Sequence, residues 1–160
     1  MIILAAGLII ILLFGFVVLF GAPYLPTFVP QQKAALDLLD LKPGQTFYDL
    51  GCGDGRLLKL AAQRGLRAVG WELNPFMFLV SWVSTRRYRK LVRVRLGNFW
   101  QADISQADGI FVFLLDKYMP KLDKKIAAEA KQHLKLASYT FKIPGKKIVA
   151  RRSGIFLYKY

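Results

Sequence analysis

The residues best suited to chemistry in this sequence are a set of closely spaced glycines and the acidic groups around them. The stretch YDLGCGDGRLLKLA places glycine on three alternate positions, Gly51, Gly53 and Gly55. A backbone so free of side chains can turn sharply and lets a ligand approach without meeting a Cβ atom. Asp49 precedes the turn, and Glu72 follows Asp49 by 23 residues, at the end of the next strand-like segment. The pattern predicts a ligand site at the carboxyl ends of two neighbouring strands.

A dinucleotide is one ligand that a glycine turn of this kind can accept. The dinucleotide fingerprint is G-x-G-x-x-G, whereas this sequence reads G-x-G-x-G with Arg56 at the next position. Asp54 would also place a carboxylate where a pyrophosphate requires an uncluttered helix N-terminus. The turn therefore favours a different ligand.

The elements that must position this turn alternate between two periodicities. Strand-like patterns occupy residues 45–50, 67–73, 91–97, 108–115 and 137–143. Helix-like patterns occupy residues 31–41, 55–65, 75–88 and 120–134. Residues 146–152 and 154–160 predict a final hairpin around Ser153 and Gly154. Alternating strands and helices predict an α/β fold with a mostly parallel sheet, right-handed crossovers and an antiparallel hairpin at its end.

The first part of the chain has a different composition. Residues 1–20 carry only apolar side chains and glycine, which as a helix would be about 30 Å long, the thickness of a hydrocarbon core. We predict a transmembrane anchor at 1–20, a proline-rich linker at 21–30 and a catalytic or binding domain at 31–160. A cleaved signal peptide would need a basic n-region and a small-x-small cleavage site, which are not evident.

The charge of the chain limits which binding partners and which cellular location are expected. The sequence has 24 Lys and Arg, 10 Asp and Glu and a net charge of +14, all of it after residue 32. Basic residues on the domain side of a span predict a single-pass membrane protein with that domain on the cytoplasmic or matrix side. The nearest negative partner is then the anionic lipid of the bilayer, and nucleic acid is disfavoured. Cys52 is the one cysteine, which fits a reducing compartment.

The pair of segments DLGCGDGR and AVGWELNP resembles motif I and its acidic successor in class I S-adenosylmethionine-dependent methyltransferases. That family has a Rossmann-like seven-stranded sheet with a final antiparallel hairpin, which matches the segment order above. The resemblance implies S-adenosylmethionine as the cofactor, with its methionine end on the turn. The turn positions are Gly51, Cys52, Gly53 and Asp54. In this resemblance Asp49 supports the loop, and Glu72 accepts hydrogen bonds from both ribose hydroxyls, as a carboxylate can.

The segment LGNFW follows the third strand, where the family often has an acidic residue that contacts the adenine. Asn98 occupies that position here, and its amide can both donate to and accept from an adenine edge. Phe99 and Trp100 are expected to pack either on the purine or in the core.

A closer resemblance covers the chain from about Pro30 onward and is strongest at residues 48–80. These segments are similar to the small membrane-anchored lysine methyltransferases that include the adenine nucleotide translocase and ATP synthase c-subunit enzymes. The resemblance implies transfer to a lysine of a membrane-associated protein. Two alternatives stay open: transfer to a lipid or small hydrophobic amine, and a non-catalytic basic membrane scaffold.

The end of the fourth strand is where methyltransferases usually address the acceptor. Nucleobase amino-methyltransferases carry Asn or Asp, Pro, Pro and an aromatic residue there, whereas this chain has Leu115, Asp116, Lys117 and Tyr118. Asp116 is the candidate catalytic residue, to orient the amine or accept its proton, with a helix cap or surface charge as the alternative. No cluster of His, Cys and carboxylate groups has metal-site spacing, so no metal is expected.

Overall fold

The elements of the fold follow the alternation that the sequence predicts. The computed structural model describes residues 27–160. The helices are α1 Val29–Leu39, α2 Arg56–Gln63, α3 Pro75–Thr85 and α4 Met119–Glu129. The strands are β1 Thr46–Leu50, β2 Arg67–Glu72, β3 Val92–Leu96, β4 Gly109–Val112, β5 Lys135–Tyr139, β6 Ala150–Arg152 and β7 Ile155–Lys159. Short 3-10 turns lie at Arg86–Tyr88, Phe99–Gln101 and Asp116–Tyr118.

One sheet contains all seven of these strands. Their order is β3-β2-β1-β4-β5-β7-β6, with β1 to β5 parallel and β7 antiparallel to both β5 and β6. The predicted Rossmann-like α/β fold with a mostly parallel sheet and a C-terminal antiparallel hairpin is therefore confirmed. The strand order reverses between β1 and β4, which places the carboxyl end of β1 at a switch point, with the end of β2 beside it.

Two predicted boundaries around α4 were wrong by a few residues. The helix ends at Glu129 and not at 134, because Ala130 adopts an extended conformation. His133 then has φ +69°, and β5 starts at Lys135, two residues before its predicted start. No glycine or proline marks this turn, so the sequence offers no signal for it.

The core lies on both faces of the sheet because alternate strand residues point in opposite directions. Phe47 and Phe111 pack under α1 and α2 on one face, whereas Ile110 and Leu136 pack under α4 on the other. Helix α2 shows how pattern produces packing. Its buried side chains, Leu57, Leu58, Ala61 and Ala62, form one stripe at helical spacing.

The predicted location in the cell requires a correction. Within residues 27–160, no helix combines the length and the apolar composition that crossing a bilayer requires. The proposed anchor at 1–20 lies outside the described residues, as does most of the linker at 21–30. The single-pass membrane location, with the domain on the cytoplasmic or matrix side, therefore has no spanning helix in the structure to support it and is not retained.

Candidate active site

The glycine turn leaves β1 and enters α2 through three residues with left-handed backbone. The φ angles are +100° at Gly51, +53° at Gly53 and +78° at Gly55. The turn is fixed to the neighbouring strand because the backbone N–H groups of Gly51 and Cys52 both donate to the carbonyl of Trp71, at 2.9 and 3.0 Å. An L side chain is disfavoured at such φ values, so the alternating glycines are required by the path of the chain.

Two of these glycines serve different purposes. Apart from its chain neighbours, no atom of residues 27–160 would lie within 4 Å of a Cβ atom built on Gly51, so this part of the turn leaves space that a ligand can occupy. A Cβ on Gly55 would lie 2.4 Å from Ser81 Oγ and 3.0 Å from Thr85 Cγ2. Gly55 therefore allows α3 to pack closely on the start of α2, and Gly51 leaves room for a bound molecule.

Glu72 at the end of β2 connects the glycine turn to the start of α3. One carboxylate oxygen accepts from the Gly53 N–H at 2.9 Å, and the other accepts from the Asn74 N–H at 2.8 Å. Each carboxylate oxygen has a second lone pair that can accept a further hydrogen bond. The group is held by two backbone donors and can still bind two hydroxyls of one ligand.

Asp49 is buried on β1 directly before the turn, with only 4% of its surface exposed. Burial raises the pKa of Asp49 to about 8, and the negative charges of Glu72 and Asp54 act in the same direction. At neutral pH the carboxyl group is therefore mostly protonated. A cationic ligand beside it would favour the ionised form.

The side chains of Cys52 and Asp54 each have a partner within the protein. Cys52 is buried; its Sγ lies 3.7 Å from Ser81 Oγ, and burial raises the pKa of its thiol. A Cβ on Gly70 would be 2.6 Å from that sulfur, which explains glycine in the middle of β2. Asp54 accepts from the Arg56 N–H and forms an ion pair with the Arg56 guanidinium. Cys52 is therefore placed to contribute its backbone, and not its thiol, to the turn.

The predicted adenine-binding residues lie on the loop after β3. Asn98 is exposed, and its side chain accepts from the Trp100 N–H at 3.1 Å, which starts the 3-10 turn. The loop is tied to the site because the Gly97 N–H donates to the Glu72 carbonyl at 2.9 Å. Phe99 and Trp100 are half-buried, with ring centroids 4.7 Å apart, and both pack against the core of the second face.

The acceptor-side segment after β4 meets the loop after β3 through aromatic rings. Tyr118 and Trp100 have ring centroids 6.2 Å apart, and Lys121 Nζ lies 4.4 Å from the Trp100 centroid. Asp116 begins the Asp116–Tyr118 turn and is exposed. Within the described chain, no hydrogen bond or ion pair connects the Asp116 carboxylate to the glycine turn. The structure thus brings Asp49, the turn and Glu72 together and leaves the role of Asp116 a prediction.

Two residues of the site were missed by the sequence reasoning. Asn74 caps α3, with its side chain accepting from the N–H groups of Phe76 and Met77, while its own N–H donates to Glu72. The Asn-Pro pair directly after a strand was the available signal, because asparagine caps helices and proline suits their first turn. Trp71 acts through its carbonyl, for which side-chain patterns carry no signal.

Comparison with known proteins adds evidence on the family. The model of the family described as "ANTKMT methyltransferase domain" matches residues 49–150. A lysine N-methyltransferase of the ATP synthase c-subunit from Xenopus laevis is 32% identical over 126 residues, covering 76% of this chain and 54% of that protein. A protein-lysine N-methyltransferase of Saccharolobus islandicus is 30% identical over 139 residues, covering 82% and 86%. The chain spans about half the length of the curated vertebrate relatives that it matches.

Among solved structures, an RNA methyltransferase from Salinibacter ruber in complex with S-adenosyl-L-homocysteine has the same fold. Its TM-score is 0.77 at 27% identity, and the match covers 85% of this chain and 92% of that chain. In this chain, the glycine turn and Glu72 are where the described geometry leaves room for a ligand.

Proposed function

The chain belongs to the ANTKMT methyltransferase domain family, and on that premise we propose that it is an S-adenosylmethionine-dependent methyltransferase acting on a lysine side chain of a protein. This family is the one predicted from the sequence, and the prediction is confirmed. The cofactor, the reaction and the acceptor are proposals for this chain.

The observation that carries the proposal is the position of Glu72 between two backbone donors. The carboxylate bridges the Gly53 N–H and the Asn74 N–H, so it is fixed beside the turn and retains lone pairs for the two hydroxyls of a ribose. The open space at Gly51, where a Cβ would meet no other part of the described chain, is the second element of fit. Asp49, Gly51, Gly53 and Glu72 are the residues that would hold the cofactor, with Asn98 and Phe99 toward the adenine.

The chemistry sets a requirement for the acceptor side. S-adenosylmethionine supplies a methyl group on a sulfonium, and transfer to a neutral amine forms the N–C bond, releases S-adenosylhomocysteine and leaves one proton to solvent. A lysine with pKa near 10.4 is neutral in only about one molecule in a thousand at pH 7.4, a cost of roughly 4 kcal/mol. Positive charge near the acceptor lowers that cost, and this chain carries +14. Lys117 and Lys121 lie beside the Trp100–Tyr118 pair and can contribute to this field.

Support for a protein lysine comes from the relatives. Three that cover most of this chain are named for lysines of the ATP synthase c-subunit, of adenine nucleotide translocase, or of protein in general. We extend the proposal to a membrane-associated protein as the acceptor, in line with the sequence resemblance. The similarity to an RNA methyltransferase favours RNA as a second candidate acceptor, to which the basic charge is also suited.

Calorimetry of the full chain with S-adenosylmethionine tests the cofactor site. Glu72→Gln keeps the size of the side chain but replaces one acceptor oxygen by a donor, so we expect binding at least tenfold weaker. Glu129→Gln is the matched control, because Glu129 is the other glutamate of the chain and pairs with Lys125 on α4. Equal affinity in all three proteins would refute the ribose assignment, and no binding by the unmodified chain would refute the enzyme.

Transfer of a labelled methyl group into cell extracts, followed by separation of protein, RNA and lipid, identifies the acceptor class. We expect the label in protein and, after hydrolysis, on methylated lysine. Label in RNA would support the second candidate, and label in lipid would support the amine-containing lipid alternative. Cofactor binding without transfer to any fraction would favour the non-catalytic scaffold.

A further inference from the structure

Helix α3 exposes an unusually apolar face to solvent. Phe76, Leu79, Trp82 and Val83 have exposed fractions of 61, 52, 56 and 46%. Their spacing places them on one side of the helix. The opposite side is buried through small polar residues, with Ser81 and Thr85 packed against Gly55. The helix therefore packs on the glycine turn with its polar side and presents its hydrophobic side outward, the reverse of an ordinary surface helix.

A dense group of positive charges continues directly from this face. The exposed cations are Arg86, Arg87, Arg89, Lys90, Arg93 and Arg95. No acidic residue occurs between Glu72 and Asp103, and none of these six cations takes part in an ion pair within residues 27–160. Arg93 and Arg95 lie on β3, the edge strand of the sheet, but they alternate with Val92 and Val94, which pack on the α3 side. Their side chains therefore leave the sheet on the opposite face, where Arg95 lies over the Trp71 ring. The apolar face and the four cations that directly follow the helix, Arg86, Arg87, Arg89 and Lys90, thus form one continuous surface, here called the α3 surface.

We propose that the α3 surface docks peripherally on an anionic lipid bilayer. A bilayer surface provides an apolar layer and, just above it, negative charge. Its hydrocarbon can accept Phe76, Leu79 and Val83, and its phosphate groups can pair with the adjacent cations. Trp82 is the residue type that settles at the boundary between the two. The docking is interfacial and needs no spanning segment.

Each of the other possible occupants would match either the apolar side chains or the cations of the α3 surface, but not both. A second copy of the chain would bring its own positive charge against the four cations of this surface, and residues 1–26 contain no charged side chain to neutralise them. Nucleic acid would neutralise the cations, but its phosphate backbone provides no apolar layer for the exposed side chains of α3. An anionic bilayer satisfies both features, so the structure favours it.

Docking through this surface would also orient the candidate active site. Asn74 caps α3 and donates to Glu72, so the start of the helix is part of the site. A bilayer against α3 would therefore hold the glycine turn close to the lipid surface. The inference rests on exposure and charge and stands whether or not the proposed function is correct.

The test uses the full chain and a signal specific to α3, because residues 1–20 are apolar and make total vesicle binding uninformative. The chain has three tryptophans, of which Trp82 is exposed whereas Trp71 and Trp100 are half-buried. We would measure quenching of tryptophan fluorescence by vesicles of brominated phosphatidylcholine that contain about 30% phosphatidylserine as the anionic lipid. Expected results are strong quenching that Trp82→Phe abolishes and that vesicles without phosphatidylserine reduce at least tenfold.

Two double variants distinguish binding through the α3 surface from a general attraction between the basic protein and anionic lipid. Arg86→Gln with Arg87→Gln should raise the lipid concentration for half-maximal quenching roughly 25-fold, about fivefold for each cation removed. The matched control, Lys147→Gln with Arg151→Gln, removes two exposed cations around β6, at the opposite edge of the sheet. This control should change the lipid concentration for half-maximal quenching less than twofold.

Several outcomes would overturn the proposal. These are quenching that persists in Trp82→Phe, equal quenching without phosphatidylserine, or an equal effect of both charge pairs. A blue-shifted Trp82 emission before lipid is added would show a different occupant. If the shift rises with protein concentration the occupant is a second copy, and if it does not the occupant is the chain's own N-terminal segment. Release of the chain from vesicles by an acidic protein that shields Trp82 would point to a protein partner instead.

Discussion

Replacing Asp49 by asparagine should stabilise the protein while weakening its affinity for the cofactor. Burial and the charges of Glu72 and Asp54 raise the pKa of Asp49 from 3.8 to about 8. The unfolded chain loses this proton near pH 4, whereas the folded protein keeps it, so raising the pH draws the equilibrium toward the unfolded state. The contribution of Asp49 to the free energy of unfolding is therefore complete below pH 4 and declines by about 1.4 kcal/mol per pH unit up to about pH 8.

The expected magnitude follows from this interval. At pH 7, which is about three units above the pKa of Asp49 in the unfolded chain, ionisation in the unfolded chain lowers the free energy of unfolding by up to about 4 kcal/mol. At pH 5 the corresponding loss is below about 2 kcal/mol. Asparagine has nearly the same size and does not ionise, so Asp49→Asn should remove the penalty. The gain in stability over the unmodified protein should widen by about 1.4 kcal/mol for each pH unit, or nearly 3 kcal/mol (~2 × 1.4) between pH 5 and pH 7.

Urea unfolding of both proteins at pH 5, 6, 7 and 8 measures this difference. Asp116→Asn is the control, since Asp116 is exposed, and its stability should follow that of the unmodified protein at every pH. Parallel pH curves for Asp49→Asn and the unmodified protein would refute the reasoning. Calorimetry at pH 8 should show that Asp49→Asn binds S-adenosylmethionine at least tenfold more weakly, because the variant lacks the carboxylate that a cationic ligand on the turn would ionise.

Further changes probe the turn and the acceptor side. Gly51→Ala places a side chain at φ +100° in the open space, so it should cost about 1–3 kcal/mol of stability and abolish cofactor binding in calorimetry. Gly55→Ala should destabilise the fold by about 2–4 kcal/mol in urea unfolding, and adding Ser81→Ala, which removes the oxygen 2.4 Å away, should restore part of that loss. Trp100→Leu should raise KM for the acceptor more than it changes the cofactor affinity, as measured by steady-state methyl transfer.

The cofactor side of the site could be predicted from the sequence because its parts are local. A strand, a glycine turn and a helix follow one another without interruption, and Glu72 ends the neighbouring parallel strand at a register that the crossover fixes. Gly51 indicates a tight turn even without its neighbours, since few other residues adopt its φ. The roles of side chains were less accessible. Nothing in the one-letter code shows that Cys52 points into the core beside Gly70 and Ser81.

The boundaries of β5 and the character of α3 escaped prediction for different physical reasons. The turn after α4 is made by residues with no strong turn propensity, so tertiary packing decides where it falls. The pattern of residues 75–85 correctly predicts a helix but not which face is buried. Its apolar side chains would ordinarily face the core, yet the close approach of α3 to Gly55 admits only small side chains there.

The close approach of α3 to Gly55 also connects the candidate cofactor site with the α3 surface proposed to dock on lipid. Gly55 requires small residues on the inner face of α3, Ser81 and Thr85, and this places the hydrophobic residues of that helix on the outside. The cap of the helix, Asn74, holds the carboxylate that the cofactor needs, so one short helix shapes the cofactor site at its start and the exposed apolar surface along its length. A larger residue at Ser81 should therefore shift α3, and cofactor affinity and lipid-dependent quenching of Trp82 should decline together; a change in only one of the two would show that they are separate properties.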